Sequence, residues 1–173
     1  MTKKILISGF GGQGVMMMGQ MLAYLGNEKD LNTLYFPSYG PETRGGTANC
    51  SVTISSEYIN SPIFKNMDIL IALNQPSLDK FIDRVDNNGI ILYNSNLVSK
   101  VDLPNSYGIP INEESLKLGN SKVSNMIMMG VLLKKTNLFS FEEVAVILKK
   151  FLGESKAHLY DINIEAIKLG MNY

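Results

Sequence analysis

A chain of 173 residues, 45% of them hydrophobic and 18% charged, is long enough to bury one core and too apolar for disorder, so a single domain is expected over 1–173. Basic and acidic residues balance at 16 each, and no Lys/Arg run breaks that balance, which argues against a nucleic-acid surface. The single cysteine, Cys50, excludes an internal disulfide and an iron–sulfur cluster held by this chain alone.

The first predicted strand, Lys4–Ser8, starts almost at the N-terminus. No signal-peptide region precedes it, and no apolar run reaches the roughly 18–20 residues of a membrane span. A cytoplasmic protein with no membrane partner is the expectation. The strand runs into Gly9-Phe10-Gly11-Gly12-Gln13-Gly14, and an apolar helix is predicted over Val15–Leu25, stopped by Gly26-Asn27. Strand, glycine-rich turn and helix form the geometry of a phosphate-cradling loop, because free N–H groups and partial positive charge collect at a helix N-terminus. Gly9, Gly11 and Gly14 satisfy G-x-G-x-x-G. A nicotinamide site would also want an acid at the end of the second strand. That strand, Asn32–Phe36, ends in Pro37-Ser38, while Glu28 and Asp30 precede it. Three readings stand: a dinucleotide site, a loop for another phosphate ligand, or glycines that serve only a tight turn and close helix packing.

The next stretch, Pro37 through Thr47, alternates fixed and freed dihedrals and contains Tyr39, Arg44, Gly45 and Gly46. Arg44 beside a glycine pair suits an oxyanion clamp or, equally, a salt bridge that stiffens the loop. A third strand is predicted over Ala48–Ser55, with Cys50 buried and unreactive. A turn and short returning strand are predicted over Ser55–Ile59, broken by Ser61-Pro62. Met67–Leu73 reads as a strand covered on both faces. Asn74 or Gln75 can then cap a helix through Leu78 and Phe81, with Pro76 in its first turn. A strong turn at Asp86–Gly89 precedes a buried strand at Ile90–Asn94. In open α/β sheets ligands bind beyond the carboxyl ends of the strands, which places the 9–14 loop, the 37–47 loop, Asn74-Gln75 and Asn94-Ser95 on one rim.

Further along, Tyr107–Pro110 reads as a last short strand and Asn125–Leu133 as an apolar helix. Ser140-Phe141-Glu142-Glu143 is a capping box opening a helix with Val144, Ile147, Leu148 and Phe151 inward. The methionines at 16–18, 21, 126, 128 and 129 read as core filler, with an adaptable contact surface as the alternative. His158, the only histidine, reads as a helix-surface or capping residue. No G-x-x-x-x-G-K-[ST], no G-x-S-x-G and no Cys/His metal spacing is present, so no catalytic or metal-binding residues are assigned.

The segments GFGGQG (9–14), PSYGPETRGG (37–46), Ser61-Pro62 and DILIALNQP (68–76) resemble the gamma subunit of 2-oxoacid:ferredoxin oxidoreductases, over residues 3 to about 135. The branch acting on 2-oxoglutarate or branched-chain 2-oxoacids is more similar than the indolepyruvate branch. The resemblance implies a Rossmann-like α/β fold, a mostly parallel sheet with some antiparallel pairing and helices on both faces. It implies alpha and beta partner subunits that carry thiamine diphosphate, magnesium and iron–sulfur clusters, and it leaves a ferredoxin-like delta subunit open. It further implies coenzyme A contact, for which the candidate residues are Gly9, Gly11, Gly12, Gln13, Gly14, Tyr39, Arg44, Gly45 and Gly46. The alternatives are a free-standing dinucleotide-binding oxidoreductase or sensor, and a purely structural interaction subunit.

Overall fold

The computed structural model describes residues 1–39 and 47–173. Six strands form one sheet in the order β2-β3-β1-β4-β5-β6. They are β1 (Thr2–Gly9), β2 (Asn32–Ser38), β3 (Ala48–Ser55), β4 (Met67–Ala72), β5 (Val85–Asn94) and β6 (Ser106–Ile109). β1, β4, β5 and β6 pair in parallel, whereas β3 runs antiparallel to both β1 and β2. The α/β expectation with some antiparallel pairing therefore holds. Pro37 lies inside β2, where an edge strand tolerates the missing N–H.

The two faces of the sheet are covered unequally. Ile5, Ile7, Cys50, Val52, Ile54, Ile69, Ile71 and Leu92 point to one face, beneath α1 (Val15–Glu28), α4 (Ser124–Thr136), α5 (Phe141–Leu152) and α6 (Tyr160–Gly170). Leu6, Leu70, Ala72, Ile91 and Tyr93 point to the other face, beneath α2 (Gln75–Phe81) and Phe64. The period-2 alternation of each strand divides its apolar residues between these two cores. α3 (Ile111–Lys117) follows β6 and buries Ile111 and Ser115. No helix among the described residues is long and apolar enough to cross a membrane.

Several elements depart from the sequence reading. α1 does not stop at Gly26-Asn27 but runs to Glu28, because Gly26 is used for packing: a side chain there would meet Thr33 and Ile54. The returning strand expected over Ser55–Ile59 does not form: Ser55 ends β3 and no strand follows through Ile59. Asp86–Gly89 lies within β5 as a bulge, since Met67 pairs with Val85 but Ile69 with Ile90. α3 and α6 were not anticipated. The methionine reading holds for Met18, Met21, Met126, Met128 and Met129, all fully buried, while Met16 and Met17 are half-buried.

α4 and α6 cross at backbone contact. A Cβ on Gly130 would meet the Ile167 carbonyl, and one on Gly170 the Ile127 carbonyl. Gly130→Ala is therefore expected to cost about 1–3 kcal/mol through overpacking, read as a lower urea midpoint at unchanged slope. Cys50 is fully buried, and burial pushes its thiol from 9.0 up to about 12. Burial first, and then charge on Cys50 and Tyr39, pushes Tyr35 from 10.0 up to about 12. Both groups keep their protons in the folded chain at pH values where the unfolded chain has lost them. The stability they supply is present below about pH 9 and is lost as pH rises toward 12. The urea midpoint should fall across that window, and fall less steeply in Cys50→Ala.

Candidate functional site

The carboxyl ends of β1, β2, β4, β5 and β6 share one rim, because only β3 is reversed. Gly9 pairs with Ala48 and Ser38 with Asn49, so the 39–47 connection leaves and returns beside the glycine turn. The predicted convergence of the 9–14 turn, the ends of the 37–47 loop, Asn74-Gln75 and Asn94-Ser95 is realised. Arg44, Gly45 and Gly46 lie outside the described residues, while Tyr39 at the margin is 71% exposed.

Within the turn the glycines do different work. Gly12 and Gly14 hold φ of 87° and 78°, a region that an L side chain adopts only with strain. Gly14 also abuts Asn125 of α4, and a side chain at Gly9 would collide with Gln13 and Leu73. Gly11 has open space around it. Gly14 caps α1 without a side-chain acceptor, and the first turn of the helix carries no acid. Phe10, Gly11 and Gly12 are exposed above it. A helix of 14 residues thus presents an uncompensated N-terminus beneath an exposed glycine turn, an arrangement that favours an oxyanion.

Gln13 is engaged within the fold. Its Oε1 accepts from the Phe10 N–H at 2.6 Å and from Asn74 Nδ2 at 3.4 Å, while its Nε2 donates to the Leu73 carbonyl at 3.2 Å. Asn94 Nδ2 donates to the same carbonyl at 3.4 Å and to Asn112 Oδ1 at 3.1 Å. Asn96 Oδ1 accepts from the N–H groups of Asn112 and Glu113 at the start of α3. Asn74 caps α2 through the Ser77 N–H at 2.9 Å, as its position before Pro76 predicts. Gln75 Oε1 holds the Ser99 N–H at 2.8 Å. The amides at the strand ends lock the rim together, and Gly11 and Gly12 are the exposed residues of the turn outside these bonds.

Sequence reasoning missed Lys80, whose Nζ reaches Thr47 Oγ1 at 3.4 Å and sets a cation at the end of the 39–47 connection. It also missed Asn96 and Asn112. The polar run Asn94-Ser95-Asn96 after a buried strand was the available signal. The second strand in sequence, β2, is not the neighbour of β1. The strand beside β1 is the reversed β3, which presents its N-terminal end at the rim. Glu28 and Asp30 precede β2 at the opposite end, where Glu28 pairs with Lys150 at 2.7 Å. His158 lies exposed on a short 3₁₀ turn away from the rim. Among the described residues no group of three His, Cys, Asp or Glu side chains could hold a metal ion.

Residues 4–173 match the family model described as pyruvate ferredoxin/flavodoxin oxidoreductase. The chain is 39% identical over 171 residues to ketoisovalerate oxidoreductase subunit VorA of Methanothermobacter thermautotrophicus, with 98% of this chain and 36% of that protein aligned. It therefore spans about a third of the length of that relative. It is 38% identical over 155 residues to 2-oxoglutarate synthase subunit KorC of Methanocaldococcus jannaschii, covering 83% of this chain and 80% of that subunit. The gamma subunit of a keto/oxoacid ferredoxin oxidoreductase from Geobacter sulfurreducens superposes with a TM-score of 0.82 at 28% identity, over 98% of this chain and 96% of that one. The 2-oxoglutarate:ferredoxin oxidoreductase of Magnetococcus marinus, solved with 2-oxoglutarate, coenzyme A and succinyl-CoA bound, shares the fold, with a TM-score of 0.88 at 22% identity over 99% of this chain and 30% of that one.

Replacing Gln13 by Leu removes an acceptor from Phe10 and a donor from Leu73. It should destabilise the chain by about 1–2 kcal/mol and speed hydrogen exchange at the Phe10 amide. An unchanged exchange rate at Phe10 would show that the side chain does not lock the turn.

Proposed function

The chain belongs to the pyruvate ferredoxin/flavodoxin oxidoreductase family, and from that membership we propose that it is the gamma subunit of a multisubunit 2-oxoacid:ferredoxin oxidoreductase. The assembled enzyme would convert a 2-oxoacid, coenzyme A and oxidised ferredoxin to acyl-CoA, carbon dioxide and reduced ferredoxin. The observation that carries this reading is near-full-length similarity to a stand-alone gamma subunit, combined with identity above 35% to ketoisovalerate and 2-oxoglutarate relatives. In the ketoisovalerate relative the matching region is about a third of one polypeptide, which supports a close physical association between this domain and the rest of such an enzyme. Of the 2-oxoacids, 2-oxoglutarate and ketoisovalerate are favoured by those relatives.

The catalytic cofactors are assigned to the alpha and beta partners. One fully buried cysteine with a raised pKa does not fit an iron–sulfur cluster, which takes four ligating side chains. Thiamine diphosphate and its magnesium would be held by the partners too, as the family resemblance implies. When bound there, the thiamine cofactor would supply the carbanion chemistry of decarboxylation. This chain's part would be packing and coenzyme A contact. The exposed Gly11 and Gly12 and the bare N-terminus of α1 would receive a phosphate of coenzyme A. Tyr39, Arg44, Gly45 and Gly46 on the adjoining connection would close over it, with Arg44 as its charged partner. Gly9, Gln13 and Gly14 would shape the turn rather than touch the ligand. The second, thinly covered face carries Tyr58 and Ile63, 81% and 68% exposed, and this segment would pack against a partner subunit.

Anaerobic affinity purification from native cells should yield this chain with a thiamine-diphosphate-binding partner and coenzyme A-dependent dye reduction by a 2-oxoacid. A lone chain that binds NAD(P) would overturn the subunit reading. In the purified complex, Arg44→Ala is expected to raise the KM for coenzyme A by about tenfold with kcat largely kept, the signature of a ground-state phosphate contact. An unchanged KM would remove Arg44 from the coenzyme A site while leaving the subunit reading in place.

A further inference from the structure

On the heavily covered face, a cleft of about 740 Å³ opens between the start of α1, the Ser121–Val123 turn leading into α4, the end of α5 and the Ala157–Leu159 turn leading into α6. That volume lies within the usual range of small-molecule sites. Met17, Phe151 and Leu152 supply an apolar wall, while Lys122 and Lys156 stand at its mouth. No Asp or Glu lines the cleft, and neither lysine joins a salt bridge among the described residues.

Two asparagines add a sharper feature. Asn125 and Asn163 are only 5% and 7% exposed, and both line the cleft. Asn125 Nδ2 has a thioether as its partner, Met17 Sδ at 3.9 Å, and Asn163 Nδ2 donates to the Leu159 carbonyl at 2.7 Å. The other end of each amide makes no hydrogen bond among the described residues. No fully buried side-chain polar atom among those residues lacks a partner, so these two free ends must be reached from outside. Both residues line the cleft. Two nearly buried asparagines that line a space flanked by lysines with no salt bridge among the described residues suit a ligand with hydroxyl or amino donors on its body and an anionic group at one end.

We propose that this cleft binds a phosphorylated small molecule of the nucleotide or sugar-phosphate class, its phosphate drawn to Lys122 and Lys156 and its body hydrogen-bonded to Asn125 and Asn163. A phosphate dianion can draw on both lysines together, and the apolar wall takes the face of a ring. The inference rests on the geometry of the helical face and not on the role proposed for the rim, so either can fail without the other.

The test is an NMR titration of the full chain with adenosine monophosphate, ribose 5-phosphate and inorganic phosphate. At least one organic phosphate is expected to bind at millimolar concentration or better, about tenfold more tightly than inorganic phosphate, and to shift the Asn163 side-chain amide. Binding of the nucleotide alone assigns recognition to the base. Equal binding of both organic phosphates assigns it to the sugar phosphate. Lys122→Ala/Lys156→Ala, two exposed positions whose loss should leave the urea midpoint unchanged, is expected to weaken binding about tenfold. Three results overturn the proposal: no saturation by about 10 mM, binding no tighter than that of inorganic phosphate, or shifts confined to residues 10–14.

Discussion

The carbonyl of Leu73 is the point through which the rim holds together. It accepts from Gln13 of the glycine turn and from Asn94 at the end of β5, while the Leu73 N–H donates to Ser8 of β1 at 2.8 Å. One residue beyond β4 therefore ties together the ends of three strands, and Asn94 extends the chain of bonds to Asn112 of α3. These groups are largely withdrawn from water, where an unpaired donor or acceptor costs more than a made bond returns. The glycine turn is consequently held in one conformation before any ligand arrives. A pre-organised backbone spends less free energy on ordering when it binds.

The reversed strand β3 does as much to shape the rim as the glycines do. It stands between β1 and β2 and brings the 39–47 connection back to Gly9. In a sheet with β2 directly beside β1, the tip of β2 would offer a ribose-binding acid to a dinucleotide. Here that neighbouring position belongs to the N-terminal end of β3. The same G-x-G-x-x-G pattern thus stands beside a different strand order. The unequal cover of the two faces follows from the same layout: four long helices bury one side, while α2 and an irregular segment leave the other open to a neighbour.

Much of this was legible in the residues. β3 was read at its observed bounds, α2 was capped by Asn74, and the capping box of α5 forms with both of its bonds. Such features are local: a cap, a period of two, or a glycine-flanked helix start depends on neighbours within a few positions. The misreadings share one physical source. Asp86–Gly89 has turn chemistry but is absorbed as a bulge, because β4 holds the strand on both sides of it. Gly26 has stop chemistry but lies beneath Thr33 and Ile54, and packing carries α1 one turn further. α6 has too weak an apolar stripe to announce itself and is held by its backbone contact with α4.

By itself the sequence determined the α/β character, the phosphate-friendly strand–turn–helix unit, the burial of Cys50 and the family whose motifs it carries. Those depend on residue types at short spacing, which the chain states directly. Only the tertiary structure decided that β3 runs backwards beside β1, that Gln13 locks the turn rather than facing out, and that Asn125 and Asn163 line one cleft. Strand order and the convergence of distant amides are set by how whole layers pack, and packing is a property of contacts far apart in the chain.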